Sequence, residues 1–464
     1  MSTDSAQAND SASPAGFTGD WITSAHPEYA EAIARWAVNA QRHAQVVAFV
    51  RTPADVALAL EYAKTHKLPL AVRGGGHSAA GASSAEAGVV IDLSRHIAGV
   101  TVDAERKLAH VGGGAVWATV DKAGIEHGLA TVGGTVNHRR LTLGGGYGFL
   151  TGQHGLALDN LVQATIVTAD GTARTVNANE NADLFWGVRG GGSNFGVVTE
   201  FVLQLHPQRR TVFAGMVIYP AAALSKVVET LKEWWEKGPS EKATILQALT
   251  PCTMLLLFWN GSEEEGRAQY KPLFDLGPVM DMSREIPYEE LNGLQNHLMP
   301  HGRNYYMKGI YTSGPSVPVS EELLQRVAAL SAAHGITLFL AFEFFPTGKI
   351  LTIPNDATAH IRGARVSTLI FSAWDDGDKL PAVRASANEL MDVILKGETK
   401  LSERENTGYG NYIAEDPAVN APGAGSTVGA DRLFGANYPR LQKLKKQYDP
   451  TMLFSKWCPI VPAP

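Results

Sequence analysis

Cysteine is scarce in this chain: Cys252 and Cys458 are the two thiols in 464 residues. That is too few, and too far apart, for a disulfide framework or a cysteine-based metal site. No run approaches the ~20 apolar residues of a membrane span. The first 16 residues, rich in Ser, Ala, Asp and Asn, lack the basic start and apolar core of a secretory signal, so they predict a disordered tail and a cytoplasmic location. Basic charge is in deficit, with 40 Lys and Arg against 46 Asp and Glu, and a net charge of −6 gives no reason to expect nucleic acid or a membrane as partner. His127, His138 and His154 show no metal-ligand spacing, and no metal is expected.

Glycine, by contrast, is abundant and unevenly placed, with 25 of the 47 lying between Gly74 and Gly196. Three crowded runs stand out: Arg73-Gly-Gly-Gly-His-Ser78, Leu141-Thr-Leu-Gly-Gly-Gly-Tyr-Gly148 and Arg189-Gly-Gly-Gly-Ser-Asn-Phe-Gly196. Consecutive glycines expose backbone N–H groups and tolerate positive φ, so such runs can line a pyrophosphate. They interrupt strand-like segments, which argues against flexible linkers. The nicotinamide fingerprint is excluded because Gly144 and Gly146 are followed by Phe149 where a third glycine is needed. A Walker loop is excluded too, since Gly348-Lys349 runs into Ile350. A flavin dinucleotide on a fold other than the Rossmann type is left.

From about Val47 to Pro207 the chain resembles the flavin-binding domain of the vanillyl-alcohol oxidase and p-cresol methylhydroxylase superfamily, in its berberine-bridge-enzyme-like branch of fungal type. The resemblance rests on Val72 to Ser78, Leu141 to Leu150 with Gly155-Leu-Ala-Leu-Asp-Asn160, Asp183-Leu-Phe-Trp186, and Arg189 through Thr199. Asn437-Tyr-Pro-Arg-Leu441 with Tyr448-Asp-Pro450 and Phe454 is similar to the branch's C-terminal signature. It implies FAD held by Arg73, Gly74, Gly75, Gly76, His77 and Ser78, by Gly144, Gly145, Gly146, Tyr147, Gly148 and Leu150, and by Asp159 and Asn160. Gly196, Val197, Val198, Asn411 and Asn437 complete the implied set. Asp159, Asn160 and Asp183 read as structural partners of the glycine loops rather than reacting groups.

The resemblance further implies a covalent flavin through His77, whose neutral imidazole is a nucleophile near pH 7. Relatives with a second link use a cysteine just before the Gly-Gly-Gly-Tyr-Gly run, where this chain has Val136 or a neighbour, so His77 alone is expected to be attached. The chain is also shorter than its relatives between His138 and Leu141. Either Arg139 and Arg140 replace the lost amides with charge-assisted contacts to the pyrophosphate, or the short loop impairs flavin binding.

The pattern of elements predicts an α+β protein. After an N-terminal tail and lead-in over 1–38 come a two-part flavin domain over 39–208 and a substrate domain over 209–407, with an antiparallel sheet covered by helices. Residues 408–464 return to the flavin domain. A capped helix starts at Thr52-Pro53-Ala-Asp55, and Asp170-Gly171 turns a hairpin between Leu161 to Ala169 and Thr172 to Ala178. Substrate-domain strands are expected over Thr211 to Tyr219, Ala243 to Leu249, Met254 to Trp259, Thr337 to Phe345 and Ser367 to Trp374.

The implied activity is an oxidase that passes a hydride from an alcohol, amine or sugar to flavin N5 and reduces O2 to H2O2. Small organic substrate and O2 are the expected partners. A flavin-containing cyclase or dehydrogenase of secondary metabolism, or a flavin-poor ligand-binding relative, is the alternative. Tyr409, in Tyr409-Gly-Asn411-Tyr412, is the first candidate base and Tyr412 the second. Glu343 is a third, on an apolar strand where burial can raise a carboxylate. Tyr305, Tyr306 and Lys308 form a segment expected near the substrate.

Overall fold

The computed structural model describes residues 12–138, 142–402, 405–412 and 429–464. The Arg139–Arg140 loop and most of the N-terminal tail expected from the sequence lie outside them. Among the described residues, no helix is long and apolar enough to cross a membrane.

Among the described residues, two small sheets, one large one and a two-stranded ribbon of Leu129–Ala130 with His206–Pro207 organise the chain. In the first, strands Val46–Phe49, Val89–Asp92 and Leu70–Arg73 run parallel, with Asp20–Thr23 added antiparallel from the lead-in. Parallel strands need a crossover, and the helix Pro53–Thr65 supplies it. Its start is set by a capping box between Thr52 and Asp55, as the sequence predicts. The second sheet is antiparallel, in the order Val100–Asp103, Leu108–Gly112, Val197–Gln204, Leu161–Val167 and Ala173–Asn177. The last two form the hairpin turned at Asp170-Gly171.

The large sheet is antiparallel, and its central strands Thr253–Trp259, Ala243–Leu249, Thr337–Phe344 and Val366–Trp374 lie side by side. Strand Asn304–Thr312 forms one edge beside Val366–Trp374. Because side chains alternate across a strand, one face presents Ile245, Leu340 and Ile370 to the helices Leu224–Glu236, Val317–His334 and Leu380–Gly397. The other face turns Leu246, Phe339, Ala341 and Glu343 away from those helices, toward the glycine-rich half. Tyr306 belongs to the helix-covered core and Lys308 donates to Asn388 of the helix Leu380–Gly397. Both therefore point away from the face where the sequence reading expected them.

The helix Trp117–Ile125 joins the halves. Trp117 and Val120 pack into the core of the second sheet, while buried Asp121 accepts from Asn292 Nδ2 at 2.8 Å. Burial pushes this carboxyl up to about 7. A folded value above the unfolded one means that the native state holds the extra proton. The contribution of this one group to stability is then full below about pH 4 and falls toward pH 7 by up to ~1.4 kcal/mol per unit. Thermal melts of an Asp121→Asn variant are expected to lose that slope; an unchanged slope would assign the pH dependence to another group.

Candidate active site: two cavities and a shared wall

The first glycine run leaves the strand Leu70–Arg73 at a fixed root. The Arg73 guanidinium donates to Asp92 Oδ2 at 3.0 Å and to the Ala32 carbonyl at 3.2 Å, which ties it to the neighbouring strand and the lead-in. Gly76 then takes a φ of +72°, a turn that favours glycine, and brings His77 to the wall of a cavity of about 270 Å³. The His77 ring lies parallel to His138 at 4.5 Å and edge-on to His301 at 5.4 Å. The ring nitrogens of all three come within 4.8 Å of one another. Burial, with the Arg73 charge nearby, holds His301 below the usual histidine range and hence neutral near pH 7.

From the second run, Thr142, Leu143 and Gly144 line the cavity. Gly145, Gly146, Tyr147, Gly148 and Leu150 form the layer behind it, where glycine serves close packing. A Cβ on Gly146 would stand 2.4 Å from the Ala157 Cβ, and one on Gly148 would stand 1.8 Å from the Gly133 carbonyl oxygen. Asp159 accepts both arms of the buried Arg362 guanidinium at 2.9 and 2.6 Å, and Asn160 donates to the carbonyls of His154 and Leu156. Both hold the segment that follows the run. In the third run Gly196 and Val198 reach the cavity together with Gly192 and Ser193, whereas Val197 packs into the core of the first sheet. Asn437 Nδ2 binds the carbonyls of Asn355, Thr358 and Ala359.

Of the residues implied for the cofactor, Gly74, Gly75, Gly76, His77, Ser78, Gly144, Gly196, Val198 and Asn411 therefore line the cavity. The others lie outside its lining. Sequence reasoning missed Lys456, Trp457 and Cys458, which close the cavity from the C-terminal segment. Their one signal was proximity to Phe454 of the C-terminal signature. Among the described residues the lining holds no carboxylate and a single lysine. Glycine loops, hydroxyls of Ser78 and Ser193, and a nucleophilic imidazole within it suit an anionic dinucleotide with a reactive ring.

A second cavity, of about 200 Å³, lies against the uncovered face of the large sheet. Glu343 lines it, 5% exposed, and accepts from Tyr412 Oη at 2.8 Å and from Ser367 Oγ at 2.7 Å. The turn Gly410–Tyr412 is the wall between the two spaces, since Asn411 lines the first and Tyr412 the second. Tyr409 lines neither. Its hydroxyl accepts from Gly146 N at 2.7 Å and from Asn411 Nδ2 at 2.5 Å, and burial holds its phenol well above the ordinary value.

A family signature described as "FAD binding domain" matches residues 44–177, and one described as "Berberine and berberine like" matches residues 409–457. The chain is 34% identical to FAD-linked oxidoreductase pgmH of Aspergillus terreus over 94% of its own length and 92% of that protein. Its fold matches 6-hydroxy-D-nicotine oxidase from Arthrobacter nicotinovorans with a TM-score of 0.84 at 25% identity, over 97% of this chain and 100% of that one. It matches glucooligosaccharide oxidase from Acremonium strictum with a TM-score of 0.83 at 19% identity, over 96% and 97%. With both signatures falling on the segments that build the first cavity and the shared wall, the chain belongs to the berberine-bridge-enzyme-like branch of the vanillyl-alcohol oxidase and p-cresol methylhydroxylase superfamily, the FAD-linked oxidoreductases.

Proposed function

We propose that the protein is an FAD-dependent oxidase in which His77 carries the flavin and Tyr412, backed by Glu343, takes the proton of a substrate hydroxyl. The observation that carries this reading is the 2.8 Å contact from Tyr412 Oη to Glu343 Oε1 in the wall shared by the two cavities. A phenol that donates to a buried carboxylate gains electron density at oxygen and has a route for passing its proton on. Tyr409 lacks that route. Its oxygen already serves two donors, and its phenol is the weaker base candidate because it opens on neither cavity. We assign it to positioning: it holds Asn411 against the first cavity and Gly146 in the layer behind.

A flavin held along the first cavity by the glycine loops and His77 would supply the redox chemistry, a two-electron exchange between substrate and O2. The protein's part is to set the substrate C–H over the shared wall, to exclude water and to receive the O–H proton. Glucooligosaccharide oxidase from Acremonium strictum carries a 6-S-cysteinyl, 8α-N1-histidyl FAD. Here the second link has no equivalent donor: Cys458 lines the cavity, but burial drives its thiol well above the ordinary range, so little reactive thiolate forms.

Anaerobic reduction of the holoenzyme followed by admission of air tests the oxidase reading. Reoxidation within seconds and one peroxide per reduced flavin are expected; a flavin that stays reduced for minutes in air would make the protein a dehydrogenase.

A further inference from the structure

The second cavity is bounded by the sheet face that the helices leave uncovered, and that face offers few hydrogen-bonding groups. Strand alternation turns Met216, Leu246, Met254, Leu256, Phe339 and Ala341 toward it. Polar groups at its edge are mostly engaged already, the buried Gln247 Nε2 being an exception. Gln295 donates to the Thr135 carbonyl at 3.0 Å and Thr250 to the Cys252 carbonyl at 2.9 Å. Glu343, the one carboxylate among the described lining residues, accepts from Tyr412 and Ser367. The volume of about 200 Å³ exceeds the ~150 Å³ of an apolar cavity that takes up benzene.

We infer that the substrate is a neutral aromatic carbinol of one ring or two fused rings, whose hydroxyl meets Tyr412 while its rings lie against the methionines and Phe339. The inference rests on the proton-accepting role proposed for Tyr412 and Glu343. Thioethers make favourable contacts with aromatic rings and adapt to irregular outlines, and beyond Tyr412 the described wall keeps one buried, unpartnered side-chain donor, Gln247 Nε2. A sugar would bring several hydroxyls to this wall, and each buried without a partner weakens binding. An ammonium ion would leave water for a carboxylate that already holds two donors. In the reaction the carbinol's C–H and O–H bonds break and a C=O bond forms. The two electrons and two hydrogens end on O2 as hydrogen peroxide.

Peroxide release by the holoenzyme from 2-naphthalenemethanol, cellobiose and benzylamine tests this. The naphthyl carbinol is expected to give a kcat/KM at least 100-fold above either competitor. Filling the cavity with Ala341→Trp, or with Ala248→Phe should the first variant fail to fold, is expected to lower that value at least tenfold with flavin content unchanged. Equal or faster turnover of cellobiose or benzylamine overturns the inference. The non-oxidisable 2-naphthol provides a binding readout independent of turnover. A saturable change in the flavin spectrum, weakened tenfold or more by either substitution, supports the pocket, and no change overturns it. A Tyr412→Phe variant separates the two readings: binding of 2-naphthol with loss of turnover supports both, whereas full turnover removes the proton-accepting role and leaves the pocket standing.

Discussion

Replacing His77 by alanine is expected to give a colourless pellet on acid precipitation where the parent gives a yellow one, while the native variant still takes up FAD, about tenfold or more weakly. The argument is one of position and nucleophilicity. His77 is a ring nitrogen on the cavity wall, flanked by two further imidazoles whose nitrogens lie within 4.8 Å. His301 is kept neutral by burial and by Arg73, so a base stands ready to accept the proton that His77 loses as it forms a bond. Alanine removes the nucleophile and leaves the three glycine-loop walls intact, which is why binding should weaken rather than vanish. A yellow pellet from the variant would place the link elsewhere. A colourless pellet from the parent would mean that the flavin is held without a bond. Absorbance before and after precipitation, read on both proteins, decides among these.

The parts of the fold that were legible in the sequence are those in which local chemistry dictates local geometry. Thr52, Pro53 and Asp55 specify a helix start by themselves, and Asp170-Gly171 specifies a hairpin. The strands Thr211–Tyr219 and Ala243–Leu249 were bounded as the structure has them. The helix Leu380–Gly397 escaped notice, and its core-facing residues include Ser386 and Ala387, which carry little hydropathy signal. Glu343 shows the limit on strands. It sits in a segment buried on both faces, where alternation cannot be read from hydrophobicity, and only the partner strands reveal which way it points.

At the site, a glycine required for phosphate approach and one required for close packing look the same in a sequence. Gly74 to Gly76 face the cavity, whereas Gly146 and Gly148 are fixed by Ala157 and Gly133 behind it. The grouping of His77 with His138 and His301, and the closure by Lys456, Trp457 and Cys458, come from segments far apart in the chain. No local spacing could announce them. The motif Tyr409-Gly-Asn411-Tyr412 was legible as a unit, but which tyrosine lines the second cavity depends on the turn Gly410–Tyr412, across which the two rings meet edge to face at 5.1 Å.

That turn sets the last expectation: Tyr412→Phe should lower kcat about 10²- to 10³-fold, within the range typical of a lost general base, with KM changed less than threefold and flavin content unaltered. Glu343→Gln keeps the volume and a hydrogen bond to Tyr412 but removes the charge that draws on its proton, so a loss of similar order is expected. If the two groups act as one proton relay, the double variant should be little worse than either single one, because each substitution already breaks the same step. Independent roles would instead multiply the losses. The reaction of the reduced enzyme with O2 should keep its parental rate in all three variants, since the pair acts on the substrate's proton. Tyr409→Phe provides the control. Its hydroxyl holds Gly146 and Asn411, so its loss should disturb the flavin spectrum and flavin affinity before it disturbs kcat. A larger kcat loss in Tyr409→Phe than in Tyr412→Phe, with an unchanged flavin spectrum, would transfer the base assignment to Tyr409 and leave the Tyr412–Glu343 contact a structural one.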